Sequence, residues 1–347
     1  MENTRLITAG LAAAGMSARV FHVPLLALHP NYQLKGLVVR TPRALPPAWD
    51  GLHLYHHFDD LLADPEIDLV VVNSPHHLHY EQTKAALTAG KHCLVEKPVC
   101  LHYAEVVDLI TLANARGLSL TAFQNRRFDA DFAAAQTAMA KVGNVVEAQL
   151  RFDRWRPIVD TSTWKEQRGE EAGVFWNLMP HLADQALQLF GVPETVFALE
   201  RIARQGGVAP DFVEVRLGYT GAEVNLHVSY LAHPNYAPRI AIMGQQGCFY
   251  SNGADRQEEL LVAGWYGRLL AETKQKPGFE AVMINQQGVI DKVSLAQPAY
   301  TSIYDGIYNA ITHTGPAIVS QAEMLDLARL LALCRESVVT SNVMAWS

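Results

Sequence analysis

Leu69-Val70-Val71-Val72 is a run of four apolar residues, three of them β-branched, with no polar position to turn toward water. A strand of that kind must be covered on both faces. It sits inside an alternation that fills residues 5 to about 123. Residues 6–9, 34–39, 69–72, 92–95 and 118–123 read as strands, and residues 16–28, 80–89 and 104–115 read as helices. Pro24 is expected to bend the first helix, Gly90 and Gly117 to end the other two. The Asp59-Asp60 pair reads as the N-cap of a further helix. Strand, helix and strand at this spacing build βαβ units around a parallel sheet, whose ligands bind beyond the carboxyl ends of the strands.

After residue 124 the pattern changes. Residues 145–152, 196–202, 212–219, 223–230 and 239–244 look like longer strands with few helices among them, Gly206-Gly207 like a turn, and 326–338 like a late helix. The expected fold class is α/β: an N-terminal Rossmann domain over 1–123, then a C-terminal α+β domain over 124–347 built on a large, mostly antiparallel sheet. The length of 347 residues suits two domains.

Composition narrows the function. Hydrophobic residues at 49% and charged residues at 18% exclude a disordered chain, and a net charge of −7 argues against a nucleic-acid partner. No apolar run reaches the ~20 residues that span a bilayer. The start, Met-Glu-Asn-Thr-Arg, has neither the basic nor the long apolar region of a signal peptide. A cytoplasmic protein with no membrane partner is expected. Cys93, Cys100, Cys248 and Cys334 form no Cys-x-x-Cys pair and read as small buried hydrophobes. His53, His56, His57, His76, His77 and His79 lack the partners of a tight ligand set, so no metal is expected.

The first strand leads into Gly10-Leu-Ala-Ala-Ala-Gly15-Met16-Ser17-Ala18. A dinucleotide fingerprint needs small residues at this turn, so that the backbone can approach a pyrophosphate facing the helix N-terminus. Ala13, Gly15 and Ala18 take the three small positions. After the second strand, where NAD sites usually carry a carboxylate for the ribose, stand Arg40, Thr41 and Arg43, which suit a 2′-phosphate. NADP is therefore the preferred cofactor, with NAD the alternative. Glu96-Lys97-Pro98 follows the fourth strand directly, and the proline restricts how Lys97 can point.

Asn73-Ser74-Pro75-His76-His77-Leu78-His79, Ala89-Gly90-Lys91-His92 and Glu96-Lys97-Pro98 together resemble the glucose–fructose oxidoreductase, inositol dehydrogenase and rhizopine catabolism (Gfo/Idh/MocA) family. Phe21-His22-Val23-Pro24, Gln124-Asn125-Arg126-Arg127-Phe128-Asp129, Phe152-Asp153-Arg154-Trp155-Arg156-Pro157 and Trp164-Lys165-Glu166 are similar to the branch that contains NADP-dependent scyllo-inositol dehydrogenases. The resemblance covers nearly the whole chain. It implies hydride transfer between a nicotinamide and a secondary alcohol or ketone of a cyclic polyol or sugar. Lys97 would then polarise the reacting oxygen, His181 move the proton and Asn177 orient the substrate hydroxyl. Gly10, Ala13, Gly15, Met16 and Ser17 would hold the pyrophosphate, while Ser74, Pro75, His79 and Glu96 line the nicotinamide half. Arg126, Arg154, Trp155 and Trp164 are the further candidates for substrate contact; the alternative for Arg154 and Trp155 is an exposed edge strand carrying a stacked Arg–Trp pair.

The chain departs from the family at three points. Asn177 replaces an aspartate, Met179 a glycine beside the site, where its bulk is expected to narrow the space, and Ala13 the usual first fingerprint glycine. Two other readings follow: a cofactor-binding sensor with little catalysis, and a reductase of a different carbonyl or imine. A homo-oligomer, dimer or tetramer, assembled through the open face of the second sheet is expected.

Overall fold

The computed structural model describes residues 5–41, 45–234, 236–253, 255–264, 280–293 and 299–346. They fall into two compact units. Residues 5–41, 45–125, 257–264 and 299–328 form the first, and the remaining described residues the second.

The first unit is built on six strands, β1 (Ile7–Leu11), β2 (Tyr32–Val38), β3 (His53–Tyr55), β4 (Leu69–Val72), β5 (His92–Glu96) and β6 (Leu120–Phe123), in the order β3-β2-β1-β4-β5-β6. Every neighbouring pair is parallel. All four residues of β4 are buried, as a strand with two covered faces requires. Helices α1 (Val23–Leu28), α2 (Phe58–Ala63), α3 (His79–Thr88) and α4 (Tyr103–Ala115) connect the strands. Leu61, Ala86, Leu87 and Leu109 pack with Val70, Val72 and Val95 into one core.

Two local readings of the sequence change. Pro24 lies in the first turn of α1, where its missing N–H is no loss, and the irregularity precedes it as a widened π turn over Ala18–His22. The cap of α2 is His57, not the acidic pair: the Asp60 carboxylate, inside the first turn, accepts from the His57 N–H at 3.2 Å. Strand β3 has only three residues, too few to show a period.

The second unit holds nine strands: β7 (Val145–Arg151), β8 (Thr195–Arg201), β9 (Phe212–Tyr219), β10 (Ala222–Ser229), β11 (Ile240–Gly244), β12 (Gly247–Asn252), β13 (Glu280–Asn285), β14 (Ile290–Lys292) and β15 (Met344–Ala345). Their order is β14-β13-β12-β11-β7-β10-β9-β8-β15, and only the β7–β10 pair is parallel. Alternate residues of the central strands, among them Val213, Val215 and Leu217 on β9, are fully buried. Helix α6 (Val174–Phe190) packs on β9 and β10, and α5 (Ala130–Val142) on β11 and β12. No helix among the described residues is long and apolar enough to cross a membrane.

Candidate active site

In the first unit the carboxyl ends of β1, β2 and β4 frame an open cleft. The loop after β1 is pinned to β4: Ala12 N–H donates to the Val71 carbonyl at 2.9 Å and Ala13 N–H to Asn73 Oδ1 at 2.9 Å. Asn73 Nδ2 returns a bond to the Ala13 carbonyl at 3.0 Å. Ala18 is fully buried, while nothing stands within 4 Å of the place a Cβ on Gly15 would occupy. A cavity of about 430 Å³ lies over this loop, lined also by Val38, Val39, Arg40, Thr41 and Pro75. A second lobe of about 400 Å³ shares Ala14 and Gly15 and continues past Met16 and Arg19 to Leu45, Pro46 and Trp49. Both volumes suit a ligand site, and the small residues beside a helix start suit a pyrophosphate. Ala13, Gly15, Met16, Arg40, Thr41 and Pro75 are thus brought together, and among the described residues none that lines either lobe is acidic. Arg43 lies outside the described residues.

Other expected cofactor contacts serve from behind the cleft. Gly10 is buried within β1, and a Cβ there would meet Leu61 Cδ1 at 3.0 Å, so its smallness admits α2 rather than a ligand. Ser17 Oγ stands 3.5 Å from Asn73 Nδ2, and Ser74 Oγ donates to Gln82 at 2.6 Å. His79 is fully buried, its ring nitrogens 2.7 Å from the Pro98 carbonyl and 2.9 Å from that of Ser74. A neutral ring donates to only one of these, and burial outweighs both carbonyls in pushing its pKa down. His79 therefore ties the Ser74 loop to the segment after Lys97 instead of lining the cleft.

Glu96 and Lys97 stand at the carboxyl end of β5, both only partly exposed. Burial alone would raise the Glu96 carboxyl, but the His22 bond and the neighbouring positive charge hold it below the ordinary value. An ionised Glu96 only accepts, so the proton of the His22 ring belongs on Nε2, 3.1 Å from Glu96 Oε1. Nδ1 then accepts from the Tyr304 hydroxyl at 2.8 Å, and burial keeps that phenol protonated. Glu96 Oε2 meets the Lys97 N–H at 3.2 Å. His22 and Tyr304 thus brace the backbone that carries Lys97. His22 lies in the Phe-His-Val-Pro motif, but nothing in that motif indicates which residues it will meet.

In the second unit the start of α6 presents Asn177 and His181, four residues apart, on one face. Met179, two residues along, points the opposite way and is fully buried, so it fills the core instead of narrowing the site. The Asn177 amide is held at both ends: its Oδ1 accepts from Lys165 Nζ at 2.9 Å and its Nδ2 donates to the Tyr230 hydroxyl at 3.1 Å. His181 is buried, its ring centroid 6.0 Å from that of Phe152. Asp184 takes a buried two-pronged bond from Arg127, at 2.8 and 2.6 Å, which fixes α6 to the segment after β6.

Arg126 pairs with Asp129 at 3.3 Å and lies over the Phe152 ring. Arg154 also lies on Phe152, at 4.4 Å, and not on Trp155, which is 56% exposed. Adjacent residues of an extended chain point to opposite sides, which separates Arg154 from Trp155 and returns it to Phe152. Trp164 is half-buried beside Lys165. Lys165, Tyr230, Phe152 and Arg239 are functional candidates that sequence reasoning missed. Lys165 and Phe152 carried a signal, their places in the Trp164-Lys165-Glu166 and Phe152-to-Pro157 motifs. Among the described residues no three His, Cys, Asp or Glu side chains are grouped to hold a metal.

Comparison with known proteins places this architecture. Residues 7–123 match the oxidoreductase family with an NAD-binding Rossmann fold, and residues 132–250 match the GFO/IDH/MocA C-terminal domain. The chain belongs to the Gfo/Idh/MocA oxidoreductase family and is an NAD(P)-dependent oxidoreductase. It is 32% identical to the uncharacterized oxidoreductase YdgJ of Escherichia coli, over 95% of this chain and 96% of that protein. It is 28% identical to the scyllo-inositol 2-dehydrogenase (NADP(+)) IolW of Bacillus subtilis, over 95% and 93%. Among solved structures, the putative oxidoreductase yvaA from Bacillus subtilis has a TM-score of 0.91 at 26% identity, covering all of both chains.

Proposed function

We propose that the protein is an NADP-dependent dehydrogenase or reductase acting on a secondary alcohol or ketone of a cyclic polyol or sugar. One observation carries the cofactor choice: the cleft wall after β2 offers the Arg40 guanidinium and the Thr41 hydroxyl where a ribose-binding carboxylate would stand in an NAD enzyme. The NADP dependence in IolW's name supports the same choice. When bound, the nicotinamide supplies or takes up the hydride.

The chain's own residues do the rest. Gly15 and its neighbours accept the pyrophosphate, and Arg40 the 2′-phosphate. Lys97, braced through Glu96, polarises the reacting oxygen. His181 accepts the hydroxyl proton in oxidation and returns it in reduction, and Asn177 with Lys165 orients the hydroxyls. A homo-oligomer assembled through the open face of the nine-stranded sheet belongs to the same reading, and light scattering at micromolar concentration checks it.

The deciding experiment pairs NADPH fluorescence titration with a panel of inositols and aldoses, in the wild type and in Lys97→Ala. Wild-type turnover of at least one substrate is expected, with kcat in the variant lower by about 10²–10³ and NADPH affinity retained. Unchanged turnover in Lys97→Ala would remove Lys97 from the chemistry. NADPH binding with no turnover of any compound would favour the sensor.

A further inference from the structure

Three guanidiniums crowd one aromatic ring in the second unit. The Cζ atoms of Arg126, Arg154 and Arg239 lie 5.2, 4.4 and 4.9 Å from the centroid of Phe152. They come from three distant stretches of chain: the turn Asn125–Phe128, the segment just after β7 and the residue just before β11. Like charges this close repel, so each needs an account of what compensates it.

Two of the three are provided for. Arg126 meets Asp129 at 3.3 Å. Arg239 donates to Gln185 Oε1 at 2.8 Å and lies in the field of Asp131, Asp129 and Asp153. Among the described residues Arg154 hydrogen-bonds only the carbonyl of Asp153, at 3.1 Å. The Asp153 carboxylate is already taken, by Arg151 at 2.9 Å and by His227 and the Ser229 N–H at 2.8 and 3.1 Å. Among the described residues no carboxylate pairs with Arg154. Burial first, and then the charges of Arg126, Arg156 and Arg239, push its pKa down to about 10, so it stays charged at neutral pH against an unfavourable field. A partly exposed guanidinium held in that state is a receptor for an oxyanion, which would relieve it.

Phe152 also touches the candidate catalytic face. Its ring lies 6.0 Å from that of His181, so Arg154 Cζ is no more than about 10 Å from the imidazole. A hexose-sized molecule spans that gap. Lys165 on Asn177 adds a second cation to the same face.

We infer that the substrate of this site is anionic, a polyol or sugar bearing a carboxylate or phosphate that Arg154 binds while a ring hydroxyl meets His181. This rests on the proposed function only in taking His181 as the substrate-facing base.

The test is calorimetric titration of the NADP-loaded protein with matched pairs, glucuronate against glucose and glucose 6-phosphate against glucose, in the wild type, Arg154→Met and Arg154→Lys. The expected result is binding of at least one anion about tenfold or more tighter than glucose, a preference lost in Arg154→Met and partly kept in Arg154→Lys. The preferred anion tells a carboxylate site from a phosphate site. Equal or absent binding of all three sugars by the wild type overturns the inference, as does an anion preference that survives in a folded Arg154→Met. Should Arg154→Met fail to fold, Arg154→Lys decides by the same comparison. Absorbance at the NADPH band separates the two readings. Arg154-dependent anion binding without hydride transfer leaves the anion site standing and removes the oxidoreductase role of His181. Turnover of neutral polyols without any anion preference does the reverse.

Discussion

The two units build their sites by opposite means. The cleft proposed for the cofactor is made by leaving things out: Ala12, Ala13, Ala14 and Gly15 are small, and the space above Gly15 is open. Its contributors lie close together in sequence at strand ends. The His181 face is made by adding charge: Arg126, Arg127, Arg154, Lys165 and Arg239 come from four stretches of chain and are matched one by one against acids, amides and a single aromatic ring. A site made of absent side chains tolerates little added bulk, whereas one made of paired charges tolerates no missing partner.

The sharpest break of this comparison is at Arg127. Arg127→Ala removes the two-pronged partner of the buried Asp184 carboxylate and should cost about 3–5 kcal/mol, read as a lower urea midpoint. A loss under about 1 kcal/mol would mean that solvent reaches Asp184 and that the second unit is not built on matched charge.

A smaller effect separates two glycines that look alike in sequence. Gly10→Val forces a Cβ against Leu61 and Ile67 and should destabilise by about 1–3 kcal/mol. Gly15→Val meets nothing, so stability should stay within about 0.5 kcal/mol while NADPH affinity falls tenfold or more. Thermal melts with fluorescence titration distinguish them, and the reverse pattern would exchange the roles given to the two positions.

Arg40→Ala should lower the preference for NADPH over NADH about tenfold, near 1.4 kcal/mol, with NADH affinity unchanged. An unaltered ratio would show that the 2′-phosphate is met elsewhere.

The smallest expected effect is a pH dependence in the first unit. Burial would raise the Asp64 carboxyl, but bonds from Lys35, Tyr55 and the Glu66 N–H hold it down at about 2. Its folded pKa is below the unfolded value of about 3.9, so its contribution is present above that pH and disappears as pH falls toward 2. Melts from pH 5 to pH 2 should steepen in the wild type relative to Asp64→Asn; parallel curves would rule the contribution out.

Much of the first unit was legible because its signals are local. A four-residue apolar run, a small-residue turn and Glu-Lys-Pro each occupy one stretch of chain and mark a strand, a turn and a strand end. Where reading failed there, the missing partner was remote: Gly10 answers to Leu61, and His22 to Glu96 and Tyr304. In the second unit the Asn177–His181 spacing placed both residues on one helical face, and the same spacing sends Met179 into the core. The partners of Asn177 are not legible, since Tyr230 is 53 residues away and nothing local selects it.

Hydrophobic periodicity and turn chemistry act between near neighbours, so the sequence alone determined the parallel sheet, the cleft at its carboxyl edge, the antiparallel character of the later strands and the family. Which charge meets which is settled only when strands far apart in the chain come into register. The tertiary structure therefore decided that His79 braces a loop, that Arg154 lies on Phe152, and that among the described residues no carboxylate pairs with Arg154. Coulomb and ring contacts act over a few ångströms of space, whatever the separation along the chain.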